Sequence, residues 1–249
     1  MKKQFYMIMV LPFFLLACEN SPRAYFTAAP GDPVVGEEVV FTNKSDNAVR
    51  FEWDFGDGFI SDAPHPAHIY TGTGSFQVIL TAWSSTGLSD QASLIIDVKI
   101  PTLLEIEVLE YYDEYVVPGA SVRLYPTLPD WENEKSMEAE GYTDNDGIVV
   151  FSHLGPYVYY VDVWEENHDN YALKVEDIGF IRTDEVIPNK INRFTAWVDY
   201  VDNGKGESAR DRSIVIRKLE RKVTDKGSGS AEVTDKGWEA LYERSIRID

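Results

Sequence analysis

The side chains in this 249-residue chain with the most chemical potential are carboxylates, histidines and large rings. Asp54 and Asp57 sit in the run Trp53-Asp54-Phe55-Gly56-Asp57-Gly58. Carboxylates and turn carbonyls suit a calcium ion. An Asp in such a turn equally accepts backbone N–H bonds, and the sequence leaves both readings open. Asp144-Asn145-Asp146-Gly147 holds part of a calcium-loop pattern. Aligned on Gly147, however, the pattern puts the Tyr142 phenol where an oxygen ligand belongs and His153 where a glutamate belongs, so a tight hairpin turn is the better reading. His65 and His68 could meet a metal on a helix, but Pro64 and Pro66 forbid one. His68 is therefore expected to pack or hydrogen-bond, and His153 and His168 have no partner at motif spacing. No nucleophile-elbow, zinc-protease, phosphate-loop or dinucleotide motif is present, so neither catalysis nor a cofactor is expected. Rings remain. Tyr111, Tyr112 and Tyr115 cluster where a strand gives out, and Trp131 lies among Pro129, Asp130 and Glu132, an unusual place for a buried ring. Exposed rings stack on sugar faces or anchor interfaces. Tyr111, Tyr112 and Trp131 are the candidate ligand-binding residues, with cover of a core edge as the alternative for each ring, whereas Trp53 reads as core.

The elements that must position these groups are strands. Phe51, Trp53 and Phe55 alternate with charged neighbours over 50–55, which puts the rings on one face. Strands are predicted over 25–28, 37–43, 50–55, 75–83 and 89–99, separated by turn-rich stretches. A strand between Gly56 and His68 can only be an edge strand because of Pro64 and Pro66. Beyond Ile100-Pro101-Thr102, alternation resumes with Leu104, Ile106 and Val108, then over 121–125. Gly141–Phe151 and Tyr157–Trp164 then read as a β-meander. In the last 47 residues, 213–217 could pair with 194–198. Val-Thr-Asp-Lys-Gly occurs at 223–227 and 233–237 around a Gly/Ser linker. Trp238, Leu241, Tyr242 and Ile246 have the spacing of a short amphipathic helix, which docks either on its own protein or on a partner.

The N-terminus reads as an export signal. Lys2 and Lys3 precede thirteen uncharged residues, Phe5–Ala17, too few to span a bilayer. The run ends Leu15-Leu16-Ala17-Cys18, and Cys18 is the only cysteine. This resembles the lipobox of bacterial lipoproteins. The resemblance implies cleavage before Cys18 and its acylation, palmitate included, and a protein held by lipid at the outer membrane or cell surface. Formal net charge is −19, yet residues 203–249 carry eleven Lys/Arg against nine Asp/Glu. The rest is thus strongly acidic, which disfavours nucleic acid as a partner.

The order Trp53-Asp54-Phe55-Gly56-Asp57-Gly58, His68-Ile69-Tyr70, Gly74 and the strand from Phe76 resembles the PKD domain, an immunoglobulin-like β-sandwich of extracellular and cell-surface proteins. Pro118-Gly119-Ala120-Ser121-Val122, Thr143-Asp144, Gly147, Phe151, Leu154 and Tyr159 resemble the transthyretin-like and Cna-B-like sandwiches, including the regulatory-like domain attached to carboxypeptidases. Together these imply an all-β chain: signal peptide 1–17, tether 18–23, PKD-like sandwich 24–100, transthyretin-like sandwich 103–202 and C-terminal extension 203–249. The expected function is non-catalytic binding, adhesin-like or glycan-capturing. The alternative is a structural spacer that docks an envelope partner through its C-terminal extension.

Overall fold

Short runs of alternating apolar and polar residues, broken by Gly, Pro, Asn and Asp, build nearly the whole molecule from strands. A computed structural model describes residues 21–171, 173–175, 177–201, 231–234 and 237–248. Cys18 and the strand expected at 213–217 lie outside these residues. The chain forms two units, one of Met1–Pro33, Glu37–Tyr70 and Gly74–Asp97, the other of Val34–Gly36, Thr71–Thr73 and Val98–Asp249.

The first unit has seven strands: β1 (Phe26–Ala29), β2 (Glu38–Asn43), β3 (Arg50–Asp54), β4 (Ile60–Ser61), β5 (Ala67–Ile69), β6 (Gly74–Trp83) and β7 (Ser89–Val98). They make a three-stranded sheet, β1-β2-β5, and a four-stranded sheet, β4-β3-β6-β7. The proline-flanked β4 and β5 are both edge strands, as missing ladder donors require. Val39 and Phe41 from one sheet and Trp53, Val78 and Leu80 from the other are fully buried. Phe26 meets Trp53 edge-on with centroids 5.0 Å apart, and Phe41 lies 5.8 Å from the same ring. Offset and edge contacts of this kind are the favoured aromatic geometries. The Trp53 indole N–H donates to the Ala63 carbonyl at 2.9 Å. Phe51 shares the face of Trp53 but is only half-buried.

The second unit contains β8 (Leu103–Glu110), β9 (Ser121–Tyr125), helix α1 (Leu128–Asn133), β10 (Ala139–Tyr142), β11 (Ile148–Ser152), β12 (Tyr160–Glu165), β13 (His168–Asp169), β14 (Ile191–Tyr200), β15 (Ala231–Thr234), helix α2 (Trp238–Glu243) and β16 (Ile246–Arg247). Strand order is β10-β9-β12-β13-β14-β8-β11-β16, with β15 also on β14. The β8/β14 ladder is parallel from Leu103↔Ile191 to Glu110↔Val198. The sheet folds over so that Val122, Leu124, Val161 and Val163 face Ile106, Val108, Phe151 and Ala196 across one core.

The expected meander does not form. β10 pairs with β9, whereas β11 pairs with β8. The turn at Asp144–Gly147 is tight, with the Ile148 carbonyl accepting from the Asp144 N–H at 2.9 Å. It nevertheless carries the chain from one side of the core to the other. The reason is visible at Gly141, where an added Cβ would stand 2.8 Å from Val149 and 3.3 Å from Phe151. The two strands face each other through their small and large residues, with Val149 and Phe151 buried.

The segment Pro126–Gly141, which holds Trp131, starts with a helix. Thr127 caps it, its hydroxyl accepting from the Asp130 N–H, and Glu134 ends it in the left-handed region. Helix formation turns Trp131 inward, so the exposure expected for this ring is not found: it is 2% exposed and packs with Tyr125 and Ile181. Its indole N–H donates to the Val161 carbonyl at 3.0 Å, and Tyr171 stacks flat on it at 5.4 Å. Trp131→Ala is expected to cost about 3–5 kcal/mol of stability, read as a shifted urea midpoint. A midpoint equal to wild type would show that the ring is not core.

Candidate functional site

Three places in the structure could do chemistry or recognition. The first is the turn after β3. Asp54 Oδ1 accepts from the Gly56 N–H at 2.9 Å, and Asp57 Oδ1 from the Phe59 N–H at 3.2 Å. Asp57 Oδ2 lies 2.7 Å from His68 Nε2. The His68 ring lies flat on Phe55, centroids 4.3 Å apart, and meets Tyr70 edge-on at 4.7 Å. The Tyr70 hydroxyl donates back to the Phe55 carbonyl at 3.2 Å. Gly56 has φ +83°, and a Cβ there would stand 2.8 Å from the Gln77 carbonyl oxygen. Both carboxylates thus take up protein donors and brace the turn. Among the described residues, no three His, Cys, Asp or Glu side chains cluster so as to hold a metal.

The PKD domain family model matches residues 25–96. Residues 25–96 are a PKD domain. The PKD1 domain of Vibrio anguillarum Epp is 28% identical over 33% of this chain and 99% of its own, with a TM-score of 0.30. The PKD1 domain of the Vibrio cholerae metalloprotease PrtV is 35% identical over 32% of this chain and 98% of its own, with a TM-score of 0.29. The group B streptococcus pilus 2b backbone protein is 12% identical over 70% of this chain and 97% of its own, with a TM-score of 0.39. The PKD domain places the chain with extracellular binding or structural proteins. No helix among the described residues is long and apolar enough to cross a membrane.

The second place is one end of the second unit, beyond the PKD domain. Glu110 is 3% exposed, and its Oε2 accepts from the N–H groups of Tyr112 and Asp113 at 2.8 and 2.6 Å. This fixes the turn that carries Tyr111 and Tyr112. Both rings are half-buried. They meet edge-on at 5.2 Å, and Tyr111 also abuts Phe180 and Trp197. Beside them, Glu165 Oε2, His168 and Tyr115 form a chain. His168 Nδ1 is 2.7 Å from Glu165, and His168 Nε2 is 2.6 Å from the Tyr115 hydroxyl. Such a chain could relay a proton. Burial, then Glu110, Asp113 and Glu165, push the Tyr115 phenol up, so Tyr115 stays a proton donor and gains no basic or nucleophilic character. Burial opposes ionisation of Glu165, but bonds from His168 and the Asn167 backbone outweigh it and hold the carboxyl below its usual range. The chain reads as a brace for the strand ends.

The third place was missed from sequence. An open groove of about 590 Å³ lies between Pro126, Thr127, Leu128 and Pro129 on one side and Tyr157, Val158 and Tyr160 on the other. None of these residues is charged. Tyr157 is 63% exposed. Neither the Tyr157 nor the Tyr160 hydroxyl bonds another described residue. Trp131 lies directly beneath, with Leu128 and Tyr160 packed on its cluster. The insert that holds the candidate Trp131 thus also lines an open groove, and Trp131 itself is buried in the cluster on which Leu128 and Tyr160 pack. Helix α2, weighed above as a partner-docking element, covers its own sheet, with Trp238 and Leu241 packed on Leu103, Val150 and Ile191.

Burial, then the Asp57 carboxylate, push the Tyr70 phenol up to about 12. Burial, then Glu138, do the same to Tyr159, also to about 12. An unfolded tyrosine ionises at roughly pH 10. Between the two values the folded chain keeps protons that the unfolded chain has released, so stability is full below roughly pH 10 and falls as pH rises. Tyr70→Phe is expected to flatten this alkaline loss, measured as urea midpoint against pH. A slope identical to wild type would mean that Tyr70 ionises normally.

Proposed function

We propose that this protein is a lipid-anchored, non-catalytic envelope protein that captures uncharged glycan in the Tyr157/Tyr160 groove of its second unit. The observation that carries the reading is the groove itself. Two tyrosines offer apolar ring faces with hydroxyls that bond no other described residue, and prolines form part of the opposite wall. A sugar ring presents the matching surfaces, an apolar C–H face bounded by hydroxyl edges. Tyrosine suits this task because it supplies a large, amphipathic contact at low entropic cost. A volume of about 590 Å³ falls in the usual range of ligand sites. The uncharged lining, on a chain with 42 Asp and Glu, favours neutral glycans and disfavours sulfated or uronic ones. Tyr111 and Tyr112 extend the aromatic surface of the same unit. The PKD domain then serves as the spacer between lipid and binding unit, with Cys18 as the acylated residue.

Tyr157→Ala and Tyr160→Ala are each expected to weaken neutral-glycan binding at least about tenfold while leaving the urea midpoint within about 0.5–1 kcal/mol of wild type. Full retention of binding in the double variant would retire the groove. Replacing Cys18 by Ser is expected to move the protein from the membrane to the soluble fraction of lysed cells. Membrane association that survives this change would exclude the lipid anchor.

A further inference from the structure

The second unit is completed by a segment that is distant in sequence. β14 ends at Tyr200, and β15 begins at Ala231. β15 pairs with the start of β14, Arg193 opposite Ala231. α2 then lays Trp238 and Leu241 on Leu103, Val150 and Ile191. β16 closes the sheet beside β11, Phe151 opposite Ile246. The contacts are particular. Arg244 pairs with Asp144 at 2.8 Å, and the Ser245 hydroxyl donates to that of the buried Ser152 at 3.0 Å. Ile246 lies so close over Gly141 that a Cβ there would stand 2.3 Å from Ile246 Cδ1. Without this tail, β11 would be an unpaired edge beside an open apolar face, the kind of surface that recruits another strand.

The length of the connection does not by itself restrict the tail to its own body. From Arg193 to Val201 is roughly 26 Å along β14. Residues 202–230 number 29, and such a length reaches roughly 100 Å when extended. A hairpin between neighbouring strands needs only about 2–5 residues. The same contacts form whether the tail comes from its own chain or from another, and exchange of an identical element is a low-cost route to association. The advantage of the tethered tail is an effective concentration on the order of millimolar or below.

We infer that residues 231–248 are an exchangeable element, and that the site they fill on one copy accepts the tail of a second copy, so that copies link through their C-terminal segments. The occupant is a second copy because the fit depends on Arg244, Ser245 and Ile246 meeting Asp144, Ser152 and Gly141. This holds whether or not the groove binds glycan.

The test uses the full chain with a protease site placed within 202–230, folded first and then cut. The tail is expected to stay with the body in gel filtration, and excess labelled peptide of residues 231–249 is expected to replace it. The same peptide carrying Ile246→Asp should compete at least tenfold less well. Loss of the tail on cutting, or a bound tail that never exchanges with labelled peptide, overturns the inference. A second variant, deleting residues 205–229, leaves a connection too short to span β14. Light scattering is expected to give dimers or larger assemblies, and a monomer overturns the inference.

Discussion

A sheet with apolar residues on both faces cannot be satisfied by one core. That constraint governs the second unit. β8 and β11 turn Ile106, Val108, Val149 and Phe151 toward the opposing sheet, and with β14 they turn Leu103, Val150 and Ile191 the other way. The inner set is covered by β9, β10 and β12. The outer set needs its own cover, and a two-turn helix supplies it with Trp238 and Leu241. At ~1.5–3 kcal/mol for each large side chain buried, this is a sizeable fraction of a domain's net stability of about 5–15 kcal/mol. Between these positions the half-buried Glu105 pairs with Arg193 at 3.1 Å.

In the PKD domain the governing contact is smaller and more polar. Asp57, His68, Phe55 and Tyr70 form a closed circuit of one side-chain hydrogen bond, two ring contacts and one hydrogen bond to backbone. Each member satisfies or covers another, so the Gly-Asp-Gly turn is held by side chains that also cap the core. Of the two carboxylates that made the turn look like an ion site, Asp57 belongs to this circuit, and Asp54 accepts from the Gly56 N–H within the turn.

The PKD strands were legible because each alternates cleanly and is bounded by turn residues, and because Trp53 and His68 fall on opposite ends of one motif. The pairing partners of β10 and β11 were not. Periodicity gives the buried face of a strand but not its neighbour, and Gly141 gave no sign that Val149 and Phe151 would lie across from it. Trp131 misled for a related reason. Its polar neighbours Asp130 and Glu132 signal exposure in a loop, but in a helix they occupy the outer face while the tryptophan points in. The cue was Thr127, with Pro129 and Asp130 following, the pattern of a helix start. Tyr157 and Tyr160 were seen only as part of a Tyr-rich strand. Alternation places Tyr159 in the core and Tyr160 outside, but Tyr157 lies in a bend before β12 and would share the face of Tyr159 in a continued strand, so only the fold brings the two exposed tyrosines opposite Pro126 and Pro129.

The eight-residue parallel ladder between β8 and β14 bears on a matter separate from recognition. Tension applied between residue 102 and residue 201 pulls β8 from its first residue and β14 from its last. In a parallel pair those forces run in opposite directions along the strands, so the rungs are loaded together in shear and do not unzip one at a time. The second unit is thereby oriented to resist stretching along the line from residue 102 to residue 201.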